Sequence, residues 1–227
     1  NVTQAKNHTL KAIWDLKEST FLLGAQFNAK IKQLAGNQDA TYQTSDTNIT
    51  SIVRSNSLDI MPVDENVVST SDSNTPIYAW FNNGTLYYYT DAVNLYMNVN
   101  ANYMFYKLRN VNSIDLDDIN TTKTTSMYAL FHSCLNLSNL DLSDFNTENV
   151  QQTQGMFYNC SSLTSIDLSS FDMSKVTNTS NMLDSMTSLE SLKTPDTYPT
   201  DSSVKITLPK LMIDSNGNEY TELNSSS

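Results

Sequence analysis

Three aspartates, Asp115, Asp141 and Asp167, recur at an interval of 26 residues. Carboxylates gathered into one column offer the oxygen ligands that Ca²⁺ takes, or a face for a basic partner. The plainer reading is structural. Like charges at strand spacing repel, and hydroxyls, backbone N–H groups and solvent screening on an exposed face offset them. A second set is aromatic. Ile77-Tyr78-Ala79-Trp80-Phe81 and Thr85-Leu86-Tyr87-Tyr88-Tyr89 flank Asn82-Asn83-Gly84, a strong hairpin signal. Alternation along each strand puts Tyr78, Trp80, Tyr87 and Tyr89 on the face opposite Ala79, Phe81 and Tyr88. One face would then be core, and the other would display rings on which sugars stack. The alternative is that the hairpin covers an apolar layer.

Catalytic chemistry finds little purchase. The histidines are His8, in a polar lead-in, and His132, at a repeat slot otherwise holding Tyr106, Tyr158 and Asp184. No nucleophile elbow, zinc-protease, phosphate-loop or paired-cysteine motif occurs, and nothing singles out two of the 24 acidic residues as a glycosidase pair. No enzyme activity and no cofactor is expected. Cys134 and Cys160 occupy one slot of adjacent units. Neighbouring strands lie roughly 4.8 Å apart, which permits a disulfide, but small buried thiols suit a core slot equally well.

These residues are placed by a repeat. Met104-Phe105, Leu130-Phe131, Met156-Phe157 and Met182-Leu183 begin successive 26-residue units. Further along each unit, slots are filled by Leu108, Cys134, Cys160 and Met186, then by Ile114, Leu140, Ile166 and Leu192. The expected core ladder is Phe105, Phe131 and Phe157, with Cys134 and Cys160, Leu140 and Ile166, Leu142 and Leu168, and Phe145 and Phe171. A fixed period of this length implies stacked supersecondary units. Leu137-Ser138-Asn139-Leu140-Asp141-Leu142-Ser143 has the cadence of a leucine-rich-repeat strand, sending Leu140 and Leu142 inward and Asp141 outward.

Before the repeat, Ser19 or Thr20 is placed to cap a helix over about 19–35, carrying Leu23, Phe27, Ile31 and Leu34 and stopped by Gly36. Leu10, Ile13, Trp14 and Leu16 begin an apolar stripe behind the lead-in of residues 1–7. After the repeat, Val204–Leu208 and Leu211–Ile213 read as strands, followed by a turn at 214–218 and a return over 219–223. The organisation expected is an N-terminal α+β region over 1–75, an aromatic hairpin cap over 76–103, repeat units over 104–194, and a C-terminal hairpin cap and tail over 195–227.

Composition narrows the partners. Lys+Arg is 13 and Asp+Glu is 24, a formal net charge of −11. This disfavours nucleic acid, whose binding relies on neutralising phosphates, and anionic membrane surfaces. No run approaches the roughly 20 apolar residues of a membrane-spanning helix, and the first ten residues lack a signal-peptide pattern.

Met156-Phe157-Tyr158-Asn159-Cys160-Ser161-Ser162-Leu163-Thr164-Ser165-Ile166-Asp167-Leu168-Ser169-Ser170-Phe171, continuing through Val176 to Asn178, resembles the BspA-like leucine-rich-repeat surface proteins of bacteria. The unit after Met182 and the segment from Asp118 to Thr124 depart from that cadence. Leu208-Pro209-Lys210-Leu211 is not a wall-sorting signal. The resemblance implies an α/β chain, a short leucine-rich-repeat solenoid of 26-residue units with hairpin caps and an N-terminal α+β region. It also implies a secreted or cell-wall attached, extracellular module of a host-associated bacterium that binds a host protein, matrix or glycan. A structural spacer is the alternative, and a glycan-active enzyme a more distant one. No catalytic residue is carried over.

Overall fold

A computed structural model describes residues 17–225. The lead-in with His8 and the stripe from Leu10 to Leu16 lie outside the described residues. Strand β1 (Glu18–Thr20) is followed by helix α1 (Gly24–Leu34). The helix starts later than Ser19 or Thr20 because tertiary pairing claims that backbone. Ser19 sits opposite Leu95 in a parallel pair, and the Phe21 N–H donates to the Tyr96 carbonyl at 3.0 Å. Gly24 opens the helix where chains nearly touch: its N–H donates to the Asn100 carbonyl at 2.9 Å, and a Cβ there would lie 2.4 Å from the Asn102 carbonyl oxygen. Gly36, at φ 102°, ends it, with the Asn37 N–H returning to the Lys32 carbonyl, a C-terminal closure that favours glycine.

The next strands are β2 (Ser51–Arg54), β3 (Tyr78–Asn82), β4 (Thr85–Tyr89), β5 (Asn94–Tyr96), β6 (Ser113–Ile114) and β7 (Ile119–Asn120). The last four are β8 (Ser165–Asp167), β9 (Ser191–Lys193), β10 (Ile206–Ile213) and β11 (Glu219–Leu223). The hairpin β3–β4 turns at Asn83 and Gly84, with φ of 50° and 88°, as a tight two-residue turn requires. It does not stand alone as a cap. It forms one side of a four-stranded sheet ordered β3-β4-β2-β6. Strands β1, β5 and β7 make a parallel sheet, β8 pairs with β9, and β10 with β11.

The expected leucine-rich-repeat solenoid with hairpin caps is therefore corrected. Among the described residues there is one α-helix and four small, separate sheets in a mixed α/β domain, not a repeating horseshoe. The resemblance to BspA-like proteins does not carry to the fold. A leucine-rich-repeat sheet needs one strand per unit, each paired with the next. Here β6 pairs back onto β2 from the N-terminal region, the segment around Leu140 forms no strand, and β8 pairs with β9.

The 26-residue interval is expressed in turns instead. Alternate amides donate to the following unit: Tyr103 N–H to Tyr128 O, Phe105 to Leu130, Lys107 to His132, and likewise Ala129, Phe131 and Ser133 to Gln154, Met156 and Tyr158, at 2.8–3.0 Å. The amides between them close three-residue turns, as from Tyr106 to Tyr103 and from His132 to Ala129. Tyr103, Lys107, Ala129, Ser133, Gly155, Asn159, Asn181 and Ser185 all have φ near +60°. Through 103–107, 129–133 and 155–159 each amide finds an acceptor without a strand.

Side chains in equivalent slots stack beneath these turns. Phe105, Phe131 and Phe157 lie 5.4 and 5.6 Å apart with rings nearly parallel, and Phe145 and Phe171 form a second column at 6.3 Å. The Cys134 thiol donates to the Phe105 carbonyl and the Cys160 thiol to the Phe131 carbonyl, at 3.0 and 3.1 Å, and both cysteines are free and buried. Leu142, Ile166 and Leu168 are buried, while Leu140 is only partly so. The element that covers the first ring is the helix: Phe27 meets Phe105 edge to face at 6.0 Å, and Phe21 then links Phe27 to Tyr88.

Phe131→Ala is expected to lower the unfolding free energy by about 3–5 kcal/mol, since it opens the middle of the ring column. Gly24→Ala is expected to cost about 1–3 kcal/mol through overpacking against backbone. Urea denaturation of the purified variants measures both, and a wild-type midpoint for Gly24→Ala would refute the close approach.

Candidate functional site

The aspartate column is occupied with its own backbone. Asp115 accepts from the Arg54 and Asp117 N–H groups, Asp141 from Ser143, and Asp167 from the Ser169 N–H and hydroxyl, at 2.6–3.2 Å. The Lys193 ammonium contacts Asp167 at 2.6 Å and, with the Ser169 hydrogen bonds, holds its carboxyl down at about 2. Each carboxylate thus closes a turn two residues ahead. Among the described residues, no group of three or more His, Cys, Asp or Glu side chains is placed to hold a metal ion.

The hairpin rings are placed by register: Tyr78 opposite Tyr89 and Trp80 opposite Tyr87, with Tyr88 buried on the other side. Trp80 is only 7% exposed and stacks on Tyr87 at 5.5 Å, so each ring covers a face of the other. The Tyr89 hydroxyl is taken by Asp91. Tyr78, Tyr87 and Tyr89 remain half-buried, and Trp80 and Tyr87 line a cleft with Asp59, Ile60, Phe81 and Asn82.

A different set of rings comes together where three segments meet. Tyr42 and Gln43 come from the loop after the helix, Tyr103, Tyr106 and Lys107 from the first turn-built unit, and Tyr128, Ala129 and His132 from the second. They line a cleft of about 390 Å³. Tyr103 lies at its centre, 4.6 Å from Tyr42 and nearly perpendicular to Tyr106 and Tyr128 at 5.3 and 5.0 Å. The row continues from Tyr106 to His132 and on to Tyr158, at 4.8 and 4.5 Å. All of these rings are half-buried. Tyr103 holds a φ of 66°, the left-handed conformation that the turn also imposes on the equivalent Ala129, Gly155 and Asn181.

The walls are set from beneath by the helix. Lys32, with no exposed surface, donates to the carbonyls of Tyr42, Thr44 and Tyr106 at 3.2, 2.6 and 2.9 Å. One turn earlier, the buried Asn28 amide donates to the carbonyls of Met104 and Tyr106. At the rim, the Lys107 ammonium donates to the Gln43 carbonyl at 3.1 Å. Asn102 accepts from the Ser126 hydroxyl and the Tyr128 N–H, joining the two units. Below, Asp46 bonds the Asn48 and Ile49 N–H groups, while its backbone exchanges bonds with Lys107 and Arg109.

Electrostatics follow from this burial. Desolvation lowers the Lys32 ammonium from its ordinary 10.5 to about 8, against the opposing pull of Asp46. Desolvation also lowers the His132 imidazole, which favours its neutral form, and its Nδ1 lies 2.9 Å from the Ser133 hydroxyl. Desolvation, then the hydrogen bond with Tyr128, pushes the Tyr103 phenol up. Among the described residues, no carboxylate lines the cleft. Its surface is rings, phenolic and amide groups, one engaged ammonium and one imidazole held toward neutrality.

The repeat slot shared by Tyr106, His132 and Tyr158 was legible in the sequence, and its three rings form one half-buried row. Lys32, Asn28 and Tyr42 were missed. The signal that marks the first two is a second stripe, Gly24-Asn28-Lys32, at helical spacing beside the apolar one.

Below pH 8 the folded chain carries the Lys32 charge at a desolvation cost, and above that it discharges while the unfolded chain stays protonated to about 10.5. Stability from this group therefore rises with pH across that window. The unfolding free energy of wild type minus that of Lys32→Met is expected to grow by up to about 3 kcal/mol between neutral pH and pH 10.5. Urea titrations across the range measure it, and a constant difference would remove the assignment.

A family model described as "Mycoplasma protein of unknown function, DUF285" matches residues 97–204, just under half of the chain. That span takes in the turn-built units but neither the helix nor the loop that completes the cleft. No curated protein and no solved structure matches the chain. Over its repeated units the chain is thus similar to a family whose description names no activity.

Proposed function

We propose that this protein is a non-catalytic binding module and that the tyrosine cleft is its ligand surface. The observation that carries the reading is the convergence of Tyr42, Tyr103, Tyr106 and Tyr128 from three segments into one half-exposed cleft. Tyrosines offer large contact area at low conformational cost, with a hydroxyl for hydrogen bonding, and are favoured at recognition surfaces. The buried Lys32 and Asn28 beneath them keep the backbone of two walls in place before a ligand arrives, which lowers the ordering cost of binding. A ligand of the kind expected, a host or matrix protein or a glycan, lies outside the cell, so display there belongs to this reading.

The chain is tested by retention on surfaces coated with matrix proteins or glycans. Tyr42→Ala and Tyr128→Ala are expected to weaken retention about tenfold each, as removal of a central ring contact does. Asp141→Asn and Tyr89→Ala, on the aspartate column and the hairpin, are expected to bind as wild type does. Loss of retention in Asp141→Asn, with the tyrosine variants unchanged, would move the ligand surface to the aspartates and sink the proposal.

A further inference from the structure

Resting on that reading, we infer that the ligand of the tyrosine cleft is a neutral carbohydrate. The class follows from the balance of the cleft walls. The rings of Tyr103, Tyr106 and Tyr128 meet edge to face, so they enclose a corner and do not form a flat apolar floor. Half-buried rings, their phenolic oxygens and the Gln43 side chain line the same corner. A pyranose has that duality, with axial C–H groups on its faces and hydroxyls around its rim. An amphipathic helix does not, because it presents a continuous apolar stripe and needs a groove without polar groups on both walls.

Charge removes the other small-ligand classes. A quaternary ammonium prefers a ring cage free of competing cations, and here Lys107 stands at the rim, 5.1 Å from the centre of the Tyr106 ring. Phosphate and carboxylate ligands are met by arginine forks or clustered cations, whereas among the described residues a single ammonium, Lys107, lines the cleft and burial favours neutral His132. In a chain with a formal net charge of −11, an anion gains nothing from the surrounding field. A neutral polyol with an apolar face fits each of these walls. Gln43 donates to the Tyr42 hydroxyl and Tyr103 is hydrogen-bonded to Tyr128, but phenols and a primary amide keep further donor and acceptor capacity for the hydroxyls of such a ligand.

The full chain is applied to an array of neutral hexose and N-acetylhexosamine oligomers, uronic-acid and sulfated oligomers, and matrix proteins. Neutral oligomers are then titrated calorimetrically against wild type, Tyr128→Phe and Tyr128→Ala, with melting temperatures recorded for each. Binding to a neutral oligomer is expected, weakened about fivefold by loss of the hydroxyl alone in Tyr128→Phe and further in Tyr128→Ala. Capture only by matrix proteins, lost in the same variants, would overturn the carbohydrate class while leaving the cleft as the ligand surface. Binding confined to acidic oligomers and abolished by salt would overturn the neutral class. Glycan binding that no cleft variant alters would overturn both the class and the site, and silence across the whole array would overturn the class.

Discussion

The structure depends on how its turns satisfy their own amides. Through 103–107, 129–133 and 155–159, one N–H in two reaches forward to the next unit and the other closes a turn within its own. This alternation comes with left-handed backbone at two places in each turn, and it commits those amides to the next unit and to the turns themselves. The phenylalanine columns, the thiols aimed at phenylalanine carbonyls and the outward row of rings all inherit their registry from it. Unit spacing set by backbone hydrogen bonds is close to ring-stacking distance, so rings in equivalent slots meet as a consequence of the ladder.

The helix converts this periodic body into something with a distinct place on it. Its Phe27 closes the first ring column, while Asn28 and Lys32 reach into the unpaired carbonyls of the first unit and of the loop that follows the helix. Burying an ammonium is expensive unless its donors are met, and here each of three is met by a carbonyl. The arrangement ties the Tyr42 loop to the Tyr106 turn. Without it the two walls of the cleft would belong to segments that share no other side-chain anchor of comparable burial.

Much of this was readable in part. The hairpin followed from Asn83-Gly84, because few other residues accept positive φ at both turn positions. Phe105, Phe131, Phe157, Cys134 and Cys160 were readable as core because a repeated slot repeats its environment. The strand ladder was misread for a physical reason: the alternation around Leu140 and Asp141 satisfies a strand locally, but pairing is a tertiary choice. Ser113 and Ile114 were taken by β2, and the aspartates turned to their own N–H groups. Leu23 belongs to the expected helix stripe yet is 43% exposed, whereas Lys32 has no exposed surface. Hydrophobic periodicity sees only apolar burial, and this helix also buries a polar stripe.

By itself the sequence determined the interval of 26 residues, the identity of the stacked rings and the acidic balance, because these are properties of residue type and spacing. The tertiary structure decided which backbone groups pair, and with that the absence of a continuous repeat sheet among the described residues. It also decided that Tyr42 meets Tyr103 and that Lys32 lies beneath both walls. Contacts between residues more than sixty positions apart carry no local signature. They arise from the need of buried carbonyls for donors, and only the folded chain can state which donor reaches which carbonyl.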